Sequence, residues 1–336
     1  MNIELMKTTL FDLNQFDGNL NTNVTTQTGE GQDLSPEMKI YYDKELIRLA
    51  GPELVHDQFA QTKNIPKNGG KTIEFRKYDN FPKALTPLTE GVTPDGRKMN
   101  VTTITATVQQ YGDYVTISDI LDLTAIDNNL LEAQELLADQ AGRTLDTVTR
   151  EVMAGGTNVL YVDDKLSRAA LGVENKLKVK DVKNGVRILK NANAKKINGS
   201  FVAIIHPNAE YDITNDPDWI NASQYAGSTQ IFEGEIGKIH GVRFVETTEA
   251  KVFDKAGTNQ ASVYATMLLA KNFYGTTKVE GGGLQFIVKQ MGSAGTGDPL
   301  NQRSTAGWKA IKTAVRLVEQ YGLRIEHCAS HNAEAV

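Results

Sequence analysis

Between Asp127 and Ala154 the chain carries one unbroken amphipathic pattern, and it sets the scale of whatever this sequence builds. Leu130, Ala133, Leu137, Ala141, Leu145, Val148 and Val152 recur at spacings of three and four, the period that lines up one face of an α-helix. Asn129 followed by Glu132 resembles a capping box, and Gly155-Gly156 ends the run. At 1.5 Å per residue such a helix is roughly 40 Å long. It is longer than the average globular helix and reads as a strut.

Ahead of the strut the pattern changes twice. Residues 1–35, with NLNTNVTTQTGEGQ, are too polar to pack a core and are expected to form an extended arm. Ser35-Pro36-Glu37 then opens a helix near Pro36 to Ala50 that stops at Gly51-Pro52. KTIEFRKYDN follows, with Ile73 and Phe75 alternating against charged side chains, and VTTITATVQQYGDYVTIS repeats the period of two through Ile104, Ala106 and Val108. The two predict a long hairpin. Its linker holds Pro82, Gly91, Pro87, Pro94 and Gly96; about 20 residues without structure is too long for the inside of a compact domain. A protruding arm with its contacts on another molecule removes the difficulty.

Beyond the strut, VKDVKNGVRILKNAN predicts a second amphipathic helix with Val179, Val182, Val186 and Leu189 on one face and Lys180, Lys183, Arg187 and Lys190 elsewhere. SFVAIIHP reads as a short buried strand. Asn208 to Phe273 mixes short strands, GVRFVET and SVYATMLLA, with loops, and WKAIKTAVRLVEQYGLRIEHC reads as two strands broken at Gly322 before the tail HNAEAV. The class is α+β.

Composition excludes several functions. Among 336 residues the net charge is −5, against the cationic surplus of a polyphosphate binder. The single cysteine, Cys328, supplies neither an intramolecular disulfide nor a cysteine-based zinc site, which fits folding in a reducing cytoplasm. MNIELMKTTLFDLNQ lacks the features of an export signal, and no stretch reaches membrane-spanning length, so no membrane is expected.

Each chemical motif has a plainer reading. NGGKT at Asn68 to Thr72 ends like a phosphate-binding P-loop, but Ile65 stands where that motif needs glycine and a strand follows where it needs a helix. A turn that opens a hairpin is expected. In MGSAGTGDPLNQRSTAGWKA, Gly292, Gly295 and Gly297 come in the reverse of the dinucleotide spacing and lead to a strand from Trp308; a flexible loop is expected. His56, His206, His240, His327 and His331 form no zinc pair, and His206-Pro207 reads as a loop histidine at a strand end. Cys328 and His327 are neighbours on a strand and point apart, which makes Cys328 a packing residue and not a nucleophile. Asp163-Asp164 and Asp216-Pro217-Asp218 are incomplete as cation sites and read as turn acids. No catalytic residue, cofactor or metal is expected.

In chain order, LTEGVTPDGRKMNVTTITATVQQYGDYVTISD resembles the extended hairpin, and AIDNNLLEAQELLADQAGRTLDTVTREVMAGGTN the spine helix, of tailed-bacteriophage major capsid proteins with the Hong Kong-phage type of fold. DPLNQRSTAGWKAIKTAVRLVEQYGLRIEHCAS resembles the closing segment of the podovirus N-four type within that family. The resemblance runs from about Pro36 to Ser330. It implies an N-terminal arm (1–35), a peripheral domain with the spine helix (36–68 and 115–159), an extended hairpin (69–114), an inserted axial domain (160–275), and a return to the peripheral domain with a C-terminal tail (276–336).

The implied function is a self-assembling structural protein of an icosahedral virion shell, built in the host bacterial cytoplasm. Its implied partners are itself, in hexamers and pentamers, a separate scaffolding protein, a portal and a decoration protein, with double-stranded DNA enclosed without sequence-specific binding. Arg76, Lys77, Glu90, Arg97 and Lys98 are the expected inter-subunit contacts along the hairpin. Gly292, Gly295 and Gly297 are expected to act as a hinge where the inserted domain hands back to the peripheral one. The alternatives are a bacterial encapsulin, a phage decoration or tail protein and, from another class, a phosphate-binding enzyme.

Overall fold

The computed structural model describes residues 22–23, 55–78, 81–93, 95–124, 129–225, 235–280, 282–293 and 297–331. The expected helix at Pro36 to Ala50 and nearly all of the N-terminal arm lie outside the described residues. In chain order the elements are β1 (Thr22–Asn23), β2 (Gln61–Ile65), β3 (Thr72–Tyr78), β4 (Val101–Thr107), β5 (Gln109–Ser118), α1 (Asp119–Thr124), α2 (Asn129–Ala154), β6 (Val159–Tyr161), α3 (Val179–Asn191) and β7 (Phe201–Ile205). They continue with α4 (Pro207–Thr214), α5 (Pro217–Tyr225), β8 (Glu235–Ile239), β9 (Val242–Glu246), β10 (Val252–Phe253), β11 (Val263–Leu269), β12 (Tyr274–Val279), β13 (Gln285–Lys289), β14 (Arg303–Lys312), β15 (Ala314–Arg316) and β16 (Gly322–His327).

The chain divides into two compact units. The first comprises Met1–Leu49, Gly112–Ala141 and Leu284–Lys309, the second Ala50–Tyr111, Gly142–Gly283 and Ala310–Val336. In the first, a four-stranded sheet runs β1-β5-β14-β13. Ile117, Leu121 and Ala133 form its small core with Val115. Trp308 is buried, and its indole Nε1 donates to Gln140 Oε1 at 3.1 Å, giving the one polar atom of a large apolar side chain its partner. Asn129 is the first helical residue of α2, so the capping position falls one residue earlier, outside the described residues.

The second unit is built on a seven-stranded mixed sheet, β6-β16-β11-β7-β9-β8 with β10 beside β11. Helix α3 lies where the sequence predicts it and turns Val179, Val182, Val186 and Leu189 into the core. Gly185 lets it approach closely, since a Cβ there would stand 3.0 Å from Leu268 and Leu323. Strand β7 is buried along its whole length, as its apolar run requires.

One expectation is corrected. Gly322 does not break a strand: it begins β16, while β14 starts at Arg303 and the interruption falls between Lys312 and Gly322. Strand β16 pairs with β11 and β6 inside the seven-stranded sheet, where all six residues are buried. Between Asn208 and Phe273, where a mixed α+β region is expected, the described residues include helices α4 and α5 as well as strands. His206 is the N-cap of α4, with its ring nitrogen accepting from Asn208 N at 3.1 Å and Pro207 filling the first helical position.

Candidate inter-subunit surfaces

The hairpin is real, and only its base is built into a core. β3 and β4 pair from Thr72↔Thr107 to Tyr78↔Val101. Alternation turns Phe75 and Ala106 inward and half-buries Ile73 and Ile104. The Phe75 ring lies against Gly275, where a Cβ would stand 2.6 Å away, so the glycine is what admits the ring. Lys63 Nζ lies over the same ring, 4.9 Å from its centroid.

Past that base the burial ends while the apolar side chains continue. Phe81, Leu85, Leu88, Val92 and Met99 are 56, 81, 78, 63 and 65% exposed, and Tyr78 and Val101 at the strand ends are also open. Isolated exposed apolar residues are ordinary, but a concentration of them on one protruding loop marks a surface that another molecule covers. The charged residues expected to make contacts, Arg76, Lys77, Glu90, Arg97 and Lys98, are all exposed on the same hairpin. The charge-based expectation names this hairpin and leaves out its apolar side chains. FPKALTPLTEGV carried the signal, since apolar residues between prolines have no strand or helix face to enter a core.

At the foot of the hairpin the second unit holds a cleft of about 650 Å³. Lys63, Arg76, Lys77, Lys195 and Lys271 line it together with Phe75 and Leu317, and no carboxylate does. Such a concave, one-signed surface attracts anionic groups.

The motifs that suggest chemistry do structural work. NGGKT is the turn between β2 and β3, with Asn68 at φ 67° and Gly70 at φ 88°. The opening glycines of MGSAGTGDPLNQRSTAGWKA lie in the connection between β13 and β14, two strands paired to each other. That placement puts them between two strands of one sheet. Gly292 has φ 84°, and Asp298 closes the far side by accepting from Arg303 N at 2.9 Å; Gly295 lies outside the described residues.

Asp216 caps two helices, accepting from Val179 N of α3 and from Asp218 N of α5, both at 2.9 Å. Asp163 accepts from Asn175 Nδ2 at 3.0 Å and Lys178 Nζ at 2.8 Å. Among the described residues no three His, Cys, Asp or Glu side chains come together as a metal site.

His327 and Cys328 do not act on each other's side chains. The His327 ring is fully buried; its Nδ1 donates to the Cys328 carbonyl at 3.0 Å, which leaves Nε2 to accept from the Thr266 hydroxyl at 2.9 Å. Burial pulls the imidazole down to about 4 and pushes the Cys328 thiol up to about 11, so both stay neutral and unreactive near pH 7.

Two buried polar clusters had no warning in the sequence analysis. Glu326, wholly buried, accepts from Arg168 at 2.7 and 2.8 Å and from Arg324 at 2.7 Å, and the Arg168 guanidinium lies 3.4 Å over the Phe253 ring. Asp146, on α2, takes both the backbone N–H and the ring Nδ1 of His56, at 2.9 and 2.5 Å.

A family model described as "Phage capsid protein" matches residues 92–285 of this chain. The chain belongs to the phage capsid protein family. Its members are structural proteins of the phage shell, and this phage capsid protein has their mixed α+β fold. Among solved structures it is similar to the capsid protein of cyanophage P-SCSP1u, with 12% identity and a TM-score of 0.66 over 92% of this chain and 98% of that one. The cyanophage Pam1 capsid gives 14% and 0.66 over 93% and 99%, and the Ralstonia phage GP4 capsid 13% and 0.64 over 83% and 89%. No curated protein matches this capsid protein.

Proposed function

We propose that this chain is a major capsid protein whose hairpin crosses a neighbouring subunit and closes an icosahedral shell of hexamers and pentamers. One observation carries the reading: five large apolar side chains between Phe81 and Met99 stand exposed on an element that protrudes from its own core. Burying a leucine of that kind stabilises a contact by about 1.5 to 3 kcal/mol. An exposed ion pair at Arg76, Lys77, Glu90, Arg97 or Lys98 contributes about 0 to 1 kcal/mol. The apolar residues hold the contact, and the charged ones set its register.

A separate scaffolding protein, a portal and a decoration protein complete the assembly in the host bacterial cytoplasm. Packaged double-stranded DNA is enclosed without sequence-specific binding, as suits a subunit of net charge −5. The narrower likeness to the podovirus N-four type rests on the closing segment. Gly292, Gly295 and Gly297 adjust the β13–β14 connection between non-equivalent shell positions. A Cβ at Gly297 meets nothing within 4 Å, and Gly295→Pro with Gly297→Pro, which stiffens the connection, is expected to give malformed particles.

The test is expression of the full chain, with and without a scaffold, followed by negative-stain electron microscopy and sedimentation. Closed shells or capsomer rings are expected, and Leu85→Asp with Leu88→Asp should stop assembly while circular dichroism and the melting temperature stay unchanged. Assembly of that variant at wild-type yield removes the role of the hairpin. A wild-type chain that stays monomeric under every condition removes the shell.

A further inference from the structure

We infer that the cationic cleft at the foot of the hairpin receives the acidic arm segment FDLNQFD, residues 11–17, of a second copy. The inference rests on the shell reading and names a contact within it. The cleft is built within the second unit: Arg76 and Lys77 enter it from β3, Lys195 from the connection between α3 and β7, and Lys271 from the turn between β11 and β12. All four are exposed, and among the described residues none of the four forms an ion pair. Leu317 and Val318, both half-buried, give the cleft an apolar wall. Cations gathered on one concave surface with no carboxylate among them repel one another, and an anion that enters relieves that repulsion.

The complementary segment lies in the N-terminal arm. Five acids and one lysine in residues 1–35 put −4 of the chain's −5 there, and between Lys7 and Lys39 no lysine, arginine or histidine occurs. Within that stretch FDLNQFD sets Asp12 and Asp17 among Phe11, Leu13 and Phe16. Acids beside apolar side chains on the arm thus match cations beside an apolar wall in the cleft.

A second copy is the natural donor of the arm. Copies that each carry −5 repel as they approach. Seating the acids of one copy among the cations of the next turns that repulsion into a directed attraction. Because arm and cleft are different patches, the contact is heterologous and passes from copy to copy around a ring. Exposed pairings of this kind steer subunits together and fix their order, while adding little holding strength of their own.

The experiment assembles particles from a mixture of unlabelled and heavy-nitrogen-labelled full chains and treats them with a carbodiimide, which joins a lysine Nζ to a touching carboxylate with loss of water. Peptide mapping is expected to find Lys195 or Lys271 joined to Asp12 or Asp17, with mixed-label pairs among the products. Cleft lysines joined only to carboxylates outside the arm, such as Glu90 or Asp95 of the hairpin loop, or joined to none, overturn the assignment. So do pairs of like label only, which keep each arm on its own copy. Asp12→Asn with Asp17→Asn leaves the arm in place without these charges; particles of this variant are expected to lose the coupling, and their Lys195 and Lys271 to react faster with acetic anhydride. An unchanged acetylation rate refutes the pairing, and protection that a nuclease removes assigns the cleft to a nucleic-acid backbone instead. Should the variant not assemble, the coupling in wild-type particles decides. Each of these failures occurs in intact particles and leaves the shell reading standing; a wild-type chain that forms no particles overturns both.

Discussion

Gly322 shows how a single hydrogen in place of a side chain sets the packing of the larger sheet. A Cβ at this position would fall inside the van der Waals envelope of the Phe273 ring, which is itself buried. Gly322→Ala is therefore expected to cost about 1 to 3 kcal/mol through overpacking, read as a lower melting temperature, with partial recovery on adding Phe273→Leu. A melting temperature at or above the wild-type value refutes the clash. The glycine was legible in the sequence and its reason was not: it reads as a strand breaker until the ring contributed by another part of the chain is known. His327 gives the matching case in electrostatics. Its pKa falls from 6.5 to about 4 because burial disfavours the imidazolium. Below pH 6.5 the unfolded chain takes up a proton that the folded one refuses, so stability is lost as pH falls from about 6.5 towards 4 and is unaffected above that window. Calorimetry of the full chain at stepped pH should show His327→Gln flattening this slope; equal slopes in the two proteins would assign the acid sensitivity elsewhere.

Among the elements, α2 is held to the Val55–Ala60 stretch by a polar clamp that no periodicity reveals. Asp146 accepts two hydrogen bonds from His56, Thr149 donates to Asp57 at 2.6 Å, and Lys312 Nζ reaches Asp57 at 2.5 Å and the Leu145 carbonyl at 2.6 Å. Asp146→Ala leaves two buried donors of His56 without an acceptor and is expected to destabilise by about 3 kcal/mol. Denaturant unfolding reads this directly, and a loss below about 0.5 kcal/mol would mean that the site relaxes to water. Helix α3 and the β3–β4 hairpin were legible because each buries one face, and β7 because its continuous apolar run is buried on both faces. Helices α4 and α5 were not, being short, although Pro207 and Pro217 at their first positions marked them. The candidate surface was half legible for a related reason. Charges on a hairpin announce exposure, whereas Leu85 and Leu88 carry nothing in the sequence to say that their own chain leaves them uncovered.

For the whole molecule the question is which force closes the shell, and ionic strength separates the two candidates. Raising salt from about 0.1 M to about 1 M shortens the screening length from about 10 Å to about 3 Å. The ion pairs proposed at Arg76, Lys77, Glu90, Arg97 and Lys98 would weaken, but so would the mutual repulsion of copies that each carry −5. Contacts made by Phe81, Leu85, Leu88, Val92 and Met99 do not weaken with salt, and they strengthen on warming from the cold. The critical subunit concentration for assembly, measured by light scattering, is accordingly expected to stay level or fall as salt rises and to fall between about 5 and 25 °C. Arg97→Ala with Lys98→Ala should move it less than about tenfold, the equivalent of 1.4 kcal/mol, and Leu85→Ser with Leu88→Ser by more than that. A tenfold rise with salt, or a charge variant that outweighs the leucine variant, would transfer the contact to the ion pairs and make the exposed leucines incidental.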